Sequence, residues 1–104
     1  MARYLAITGG VGGAKPALGL AQILGPDELL FAVNTGDDFE HLGLHIAPDV
    51  DTLTYTLAGV SNTDTGWGRQ DETWSFMDAL ERLGGETWFH LGDRDLALHV
   101  TRTQ

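Results

Sequence analysis

The sequence predicts an α/β fold built on a parallel sheet with flanking helices, and three observations carry that reading. Residues 4–8 form a continuous apolar run, the glycine-rich stretch 9–13 leads into a helically spaced segment, and a second apolar run follows at 29–33. A strand, a glycine turn, a helix and a second strand within about thirty residues make a βαβ unit. Its crossover is right-handed almost without exception, so the two strands are expected to lie parallel in a Rossmann-like arrangement.

The elements follow in order. Residues 14–24 carry Ala17, Leu20, Ala21 and Leu24 at helical spacing, Pro16 suits a first helical turn, and Gly25 and Pro26 stop the helix. After Val33 the chain turns polar and acidic from Asn34 to His41, at the carboxyl end of a strand, where open α/β sheets hold their ligands. Pro48 opens a short helix with Leu53 and Leu57 that ends at Gly59, and 62–68 is turn-like. Asp71 is the expected cap of a helix bearing Trp74, Met77, Leu80 and Leu83, ended by Gly84 and Gly85. A short extended piece at 87–90 then leads into a last amphipathic helix with Leu96 and Val100. Two clear strands and a marginal third cannot make a covered parallel sheet. The expectation is that residues 1–104 are the N-terminal portion of a larger domain, the more so because the chain stops at Gln104 within an apparent helix.

Composition narrows the function classes. Six Lys and Arg against fifteen Asp and Glu give a net charge of -9, which argues against a sequence-independent grip on nucleic acid or on an anionic membrane. Cysteine is absent, so thiolate nucleophiles, disulfides and cysteine-based zinc sites are excluded. The first apolar run is too short for a signal-peptide core or a membrane span. The cytoplasm is the expected compartment.

Chemistry has two natural places. Gly9 to Lys15 follow a strand and open a helix, so backbone N–H groups at Gly10, Gly12 and Gly13 could hold phosphate oxygens. The stretch lacks the G-K-[ST] ending of a P-loop, and Lys15 stands where G-x-G-x-x-G needs its third glycine. The plainer alternative is that the glycines only permit a tight turn. The second place is acidic: Asp37, Asp38 and Glu40, then Asp49 and Asp51, from which a pair of carboxylates could hold Mg²⁺, unless Asp49 or Asp51 simply caps a helix. The histidines at 41, 45, 90 and 99 show no zinc spacing and read as surface or packing residues. Trp67, Trp74, Trp88 and Phe89 read as core, although a planar heteroaromatic ligand would need such faces. Arg94 between Asp93 and Asp95 reads as a structural ion pair.

Taken in order, GGVGGAK, VNTGDDFEHLGLHIAPDVDT, YTLAGV, TGWGRQDETW, LGGETWFHLGDRDLA and HVTRTQ resemble the N-terminal third of the 2-phospho-L-lactate transferase family of coenzyme F(420) biosynthesis. The resemblance covers nearly the whole chain. It implies a Rossmann-like, Mg²⁺-dependent enzyme that moves a phospholactyl or phosphoenolpyruvyl group from a guanosine diphosphate-type donor to the hydroxyl of the deazaflavin precursor Fo, releasing GMP. It also implies that Asp51 of PDVDT and His90, just before LGDRD, stand at positions associated with Fo. Asp51 is the expected catalytic carboxylate, and Asp37, with Asp51 sharing, the expected magnesium ligand. His90 departs from the Arg or Lys common at its position, and Pro16 from the aliphatic residue usual after GGAK. A homodimer is compatible with the resemblance, although no motif fixes the oligomeric state or the choice among lactyl, enolpyruvyl and glyceryl donors. The rival from another class is a non-catalytic module that binds a flavin-like ligand or a nucleotide. A nicotinamide-dependent oxidoreductase is disfavoured by the incomplete glycine fingerprint.

Overall fold

A computed structural model describes residues 3–65 and 68–104, and Trp67 of the aromatic set lies outside them. The chain begins as the sequence predicts. Strand β1 (Tyr4–Thr8) and strand β2 (Leu29–Val33) pair in parallel, Tyr4 opposite Leu29 through Thr8 opposite Val33, with helix α1 (Gly10–Ile23) crossing between them. The start of α1 differs from expectation. It begins at Gly10 rather than residue 14, so most of the glycine stretch is the first helical turn and not a loop. Pro16 consequently lies in the second turn, where it removes the N–H that would have bonded the Gly12 carbonyl. Gly13 has a packing reason: a Cβ there would fall 2.2 Å from the Thr8 hydroxyl at the end of β1.

The acidic run after β2 is not wholly a loop. Strand β3 (Phe39–His41) and strand β4 (Leu44–Ile46) form an antiparallel hairpin that sequence reading missed. Its two-residue turn, Leu42 and Gly43, has both φ angles positive at 53° and 74°, the geometry of a type I′ hairpin without the Asn-Gly pair that usually announces it. Helix α2 (Pro48–Ala58) starts on proline and ends on left-handed Gly59, as expected, and packs along α1, where Ala14 and Ala17 are buried.

Helix α3 (Ser75–Arg82) and helix α4 (Asp93–Thr103) correct two expectations at once. Asp71 does not cap α3, which starts four residues later. Its N-terminal N–H groups, on Ser75 and Phe76, donate instead to the carboxylate of Asp93 at 3.1 and 2.9 Å. In return Glu72 accepts from the Arg94 and Asp95 N–H groups at the start of α4, at 2.8 and 3.1 Å. Each helix is capped by an acid from the other's approach, which fixes the two starts against each other. Gly92 is the residue that permits it, since a Cβ there would sit 2.0 Å from the Glu72 side chain. Arg94 is thereby freed from the expected ion pair and donates to the Asp71 carbonyl. Asp93, bonded by the Thr73 hydroxyl and by these N–H groups, titrates below the usual carboxylate range.

The apolar core lies under the hairpin, where Ile46, Met77 and Leu91 are buried and Phe39, Leu44, Phe76, Leu80, Phe89 and Leu96 pack around them. The expected extended piece at 87–90 is irregular, and Trp88 is 67% exposed, stacked on Phe39 at the edge of this core. Trp74 is likewise exposed rather than core. Beyond α1 the face of the β1–β2 sheet is bare: Leu5, Ile7 and Leu30 are all more than half exposed. The accessible area, 6802 Å², exceeds the ~5,700 Å² expected for a compact chain of this mass, in keeping with extents of 55 × 25 × 21 Å. Among the described residues no helix is long and apolar enough to cross a membrane.

Candidate functional site

A cavity of about 450 Å³ opens between α2, residues 62–65 and 68–74, and the start of α4. Asp51 and Tyr55 come from α2, one helical turn apart; Asp95 and His99 come from α4 with the same spacing. Arg69, Glu72, Trp74 and His90 complete the polar and aromatic wall. The two residues that the family resemblance associates with Fo, Asp51 and His90, therefore line one cavity although 39 positions separate them in the sequence. His90 is exposed and stands edge-on to Trp74, ring centroids 6.2 Å apart.

Behind this wall runs a buried polar network. The Tyr55 hydroxyl donates to Asp95 Oδ1. His99, 2% exposed, places Nδ1 2.5 Å from the Asp95 backbone carbonyl; a carbonyl can only accept, so Nδ1 carries a proton. Its Nε2 faces Asp51 Oδ2 at 3.5 Å. Arg102, one turn further along α4, donates to both oxygens of Asp51, at 3.2 Å through Nη2, and also to the His45 carbonyl at 2.9 Å. Burial, reinforced by the hydrogen bond to Asp95, pushes the Tyr55 hydroxyl well above its ordinary titration range, so it remains a donor. Burial also raises Asp95, against the opposing pull of Tyr55 and His99.

This geometry defines what Asp51 can do. It is 6% exposed, and the two-point contact with Arg102 neutralises its charge and sets the plane of its carboxylate. An ionised carboxylate has about four acceptor sites. Those not used by Arg102 can accept from a ligand hydroxyl and orient it.

The other expected site residues lie elsewhere. Asp37 is exposed on the turn after β2 and does not line the cavity. Gly12 faces open space, but beside Gly9 and Gly10 the chain has placed a carboxylate of its own: Asp49 oxygens lie 3.5 and 3.7 Å from the Cβ positions those glycines would have. Asn34 donates to that carboxylate at 3.0 Å and is itself held by the Gly36 N–H, so the NTGDD motif is tied to the start of α2. For Mg²⁺, the donor atoms of Asp51, Asp95 and His99 lie within 4.8 Å of one another. Mg²⁺ favours oxygen ligands and retained waters, whereas here a guanidinium already occupies Asp51 and a hydroxyl Asp95. The set does not fit Mg²⁺ as arranged.

Comparison with known proteins identifies the lineage. The model of the family described as 2-phospho-L-lactate transferase CofD matches residues 5–104. The chain belongs to this family. The phosphoenolpyruvate transferase of Kitasatospora aureofaciens is 48% identical over 104 residues, covering 98% of this chain and 32% of the relative. That of Streptomyces coelicolor is 46% identical over 103 residues, with the same shares, and that of Mycobacterium ulcerans 48% identical over 110 residues, covering 94% and 33%. The chain thus spans about a third of the length of the curated relatives it matches.

The match to the 2-phospho-L-lactate transferase family contains the whole buried network, including residues that sequence reading passed over. Tyr55 and Arg102 drew no attention singly, His99 read as a surface or packing residue, and Asp95 as a partner of Arg94. Their signal was positional: Asp51 and Tyr55 share one face of α2, and Asp95, His99 and Arg102 recur at helical spacing on α4. Polar residues on the face of a helix that should be apolar mark a second polar face opposite.

Proposed function

We propose that this chain supplies the Fo-binding portion of a transferase that moves a phosphoenolpyruvyl or phospholactyl group from a guanosine diphosphate-type donor to the hydroxyl of Fo, releasing GMP. The observation that carries the reading is the meeting of Asp51 and His90 on one cavity wall, in a chain of the 2-phospho-L-lactate transferase family. The names of relatives 46–48% identical favour the enolpyruvyl group. In this reading the fixed Asp51 carboxylate accepts from the Fo hydroxyl and aligns its oxygen on the donor phosphorus, while Trp74 and His90 offer ring faces and edges to the deazaflavin. Phosphoryl transfer depends on positioning and charge neutralisation more than on covalent help, so a rigid, preorganised acceptor carboxylate is an appropriate part. A Mg²⁺ requirement belongs to the same proposal, although Asp37, its expected ligand, stands outside the cavity.

The test has two arms. Titration of this chain with Fo, followed by Trp fluorescence, is expected to show saturable binding that Asp51→Ala weakens by at least tenfold. The full-length form, given Fo, donor and Mg²⁺, is expected to make the coupled deazaflavin, and Asp51→Ala to abolish it. Unchanged turnover in that variant removes Asp51 from the site; binding by this chain with no product from the full-length form favours the non-catalytic module instead.

A further inference from the structure

The wall of the cavity contains three acids and one arginine, and their partners are unevenly distributed. Asp51 is paired with Arg102. Glu72 accepts from the N–H groups of Thr73, Arg94 and Asp95. Asp95 accepts from Tyr55 and lies 3.6 Å from His99 Nδ1. Each acid is therefore met by a cation or by hydrogen-bond donors of the chain. Arg69 is not met in this way. Its guanidinium carbon lies 5.6 Å above the centre of the Tyr55 ring, its Nε is buried with no hydrogen-bond partner, and among the described residues no carboxylate forms an ion pair with it.

We propose that Arg69 is the oxyanion-binding residue of the cavity and that it takes a phosphate-type group, the donor's diphosphate under the reading above. The proposal deepens that reading, which leaves open how this part of the chain meets the donor. Three arguments support it. Arginine stays charged at any working pH, so a guanidinium in a cavity wall whose neighbouring acids are all engaged keeps an unspent positive field. A buried N–H with no acceptor calls for one, and the planar fork of arginine matches two oxygens of one phosphate. The backbone is also fixed where this requires it: Arg69 bridges to Ser61, and the Gln70 N–H bonds the Val60 carbonyl at 2.8 Å. Arg102 also has a buried, unpartnered Nε, but its Nη groups are used on Asp51 and the His45 carbonyl, whereas among the described residues Arg69 has no carboxylate of this kind. The flat Tyr55 ring beneath it supports the guanidinium from one face, as cation–π stacking does.

The experiment is a titration of this chain with inorganic pyrophosphate, followed by the ¹⁵N resonance of the Arg69 Nε–H and by Trp fluorescence. Arg69→Gln and Arg69→Lys are compared with Arg82→Gln, a control on the exposed end of α3. Pyrophosphate is expected to shift the Nε resonance and to bind saturably. Arg69→Gln should weaken binding by about tenfold or more, Arg69→Lys by less because it keeps the charge but not the fork, and Arg82→Gln by less than twofold. Absence of binding, an unmoved Nε resonance, or equal losses in Arg69→Gln and Arg82→Gln each overturn the proposal. Fo binding by the unaltered chain is measured separately. Pyrophosphate binding through Arg69 without Fo binding sinks the transferase reading and leaves the oxyanion site standing; Fo binding with pyrophosphate indifferent to Arg69 does the reverse.

Discussion

His99 on α4 is 2% exposed and Ile7 on β1 is 85% exposed, an inversion of the usual partition of polar and apolar side chains. The difference lies in what each element faces. Helix α4 meets α2 and the hairpin, and its inward polar groups, Arg102 Nε excepted, are satisfied by acids, a tyrosine and a backbone carbonyl, so most of the cost of their burial is returned. Among the described residues, no element covers the open face of the β1–β2 sheet, although parallel sheets are ordinarily covered on both sides. Hydrophobicity alone therefore predicts burial poorly here. The presence of a partner surface decides it.

Substitutions on the two sides should separate in size. Leu91→Ala, at a fully buried position of the core beneath the hairpin, is expected to cost on the order of 4 kcal/mol in urea denaturation. A loss below about 1 kcal/mol would mean that this core is not the stable part of the molecule. Arg102→Leu leaves the Asp51 carboxylate buried without its cation and should cost on the order of 3 kcal/mol, the low end for a broken buried pair because the Arg102 side chain is 22% exposed. If instead the variant is as stable as the parent, the network contributes orientation only.

A change of pH profile comes next. Asp93 titrates below the ordinary carboxylate range because Thr73, Phe76 and Ser75 bond its charged form. A lowered folded-state value contributes stability that is present above the unfolded value and lost as pH falls through the folded one. Thermal melts of Asp93→Asn across acid pH should therefore show a shallower loss on acidification than the parent; parallel profiles would assign the acid sensitivity to other carboxylates. The smallest effect belongs to the bare sheet. Ile7→Ser should change stability by no more than about 0.5 kcal/mol, since little apolar area is buried there to lose. A larger loss would show that this face is covered in solution, and would weaken the contrast between the two regions.

Much of the fold was legible because local rules coincide with it. Apolar runs bounded by glycine and proline marked β1, β2 and α2, and the βαβ handedness made the pairing parallel. The hairpin escaped because three-residue strands and a Leu-Gly turn leave too short a pattern to distinguish from loop. The start of α1 was placed late because glycine weakens helix propensity, and only contact with Thr8 and α2 holds those residues helical. At the site, the motif order singled out Asp51 and His90, and both line the cavity. Asp37, matched to a magnesium position through its NTGDD motif, stands outside that cavity, and a motif match carries no information about distance.

By itself, the sequence determined the βαβ opening and the succession of four helices, the acidic charge, the lack of cysteine in these residues and the family motifs, because these depend on residue types and near-neighbour spacing. Tertiary structure alone decided which acids of the cavity wall are engaged and that, among the described residues, none of them pairs with Arg69. Asp51 meets Arg102 across 51 positions, and Glu72 and Asp93 exchange caps across about twenty. Hydrogen bonds require donor and acceptor within about 3 Å, and charge pairs are screened beyond about 10 Å, so such pairings exist only once the chain has brought their partners together.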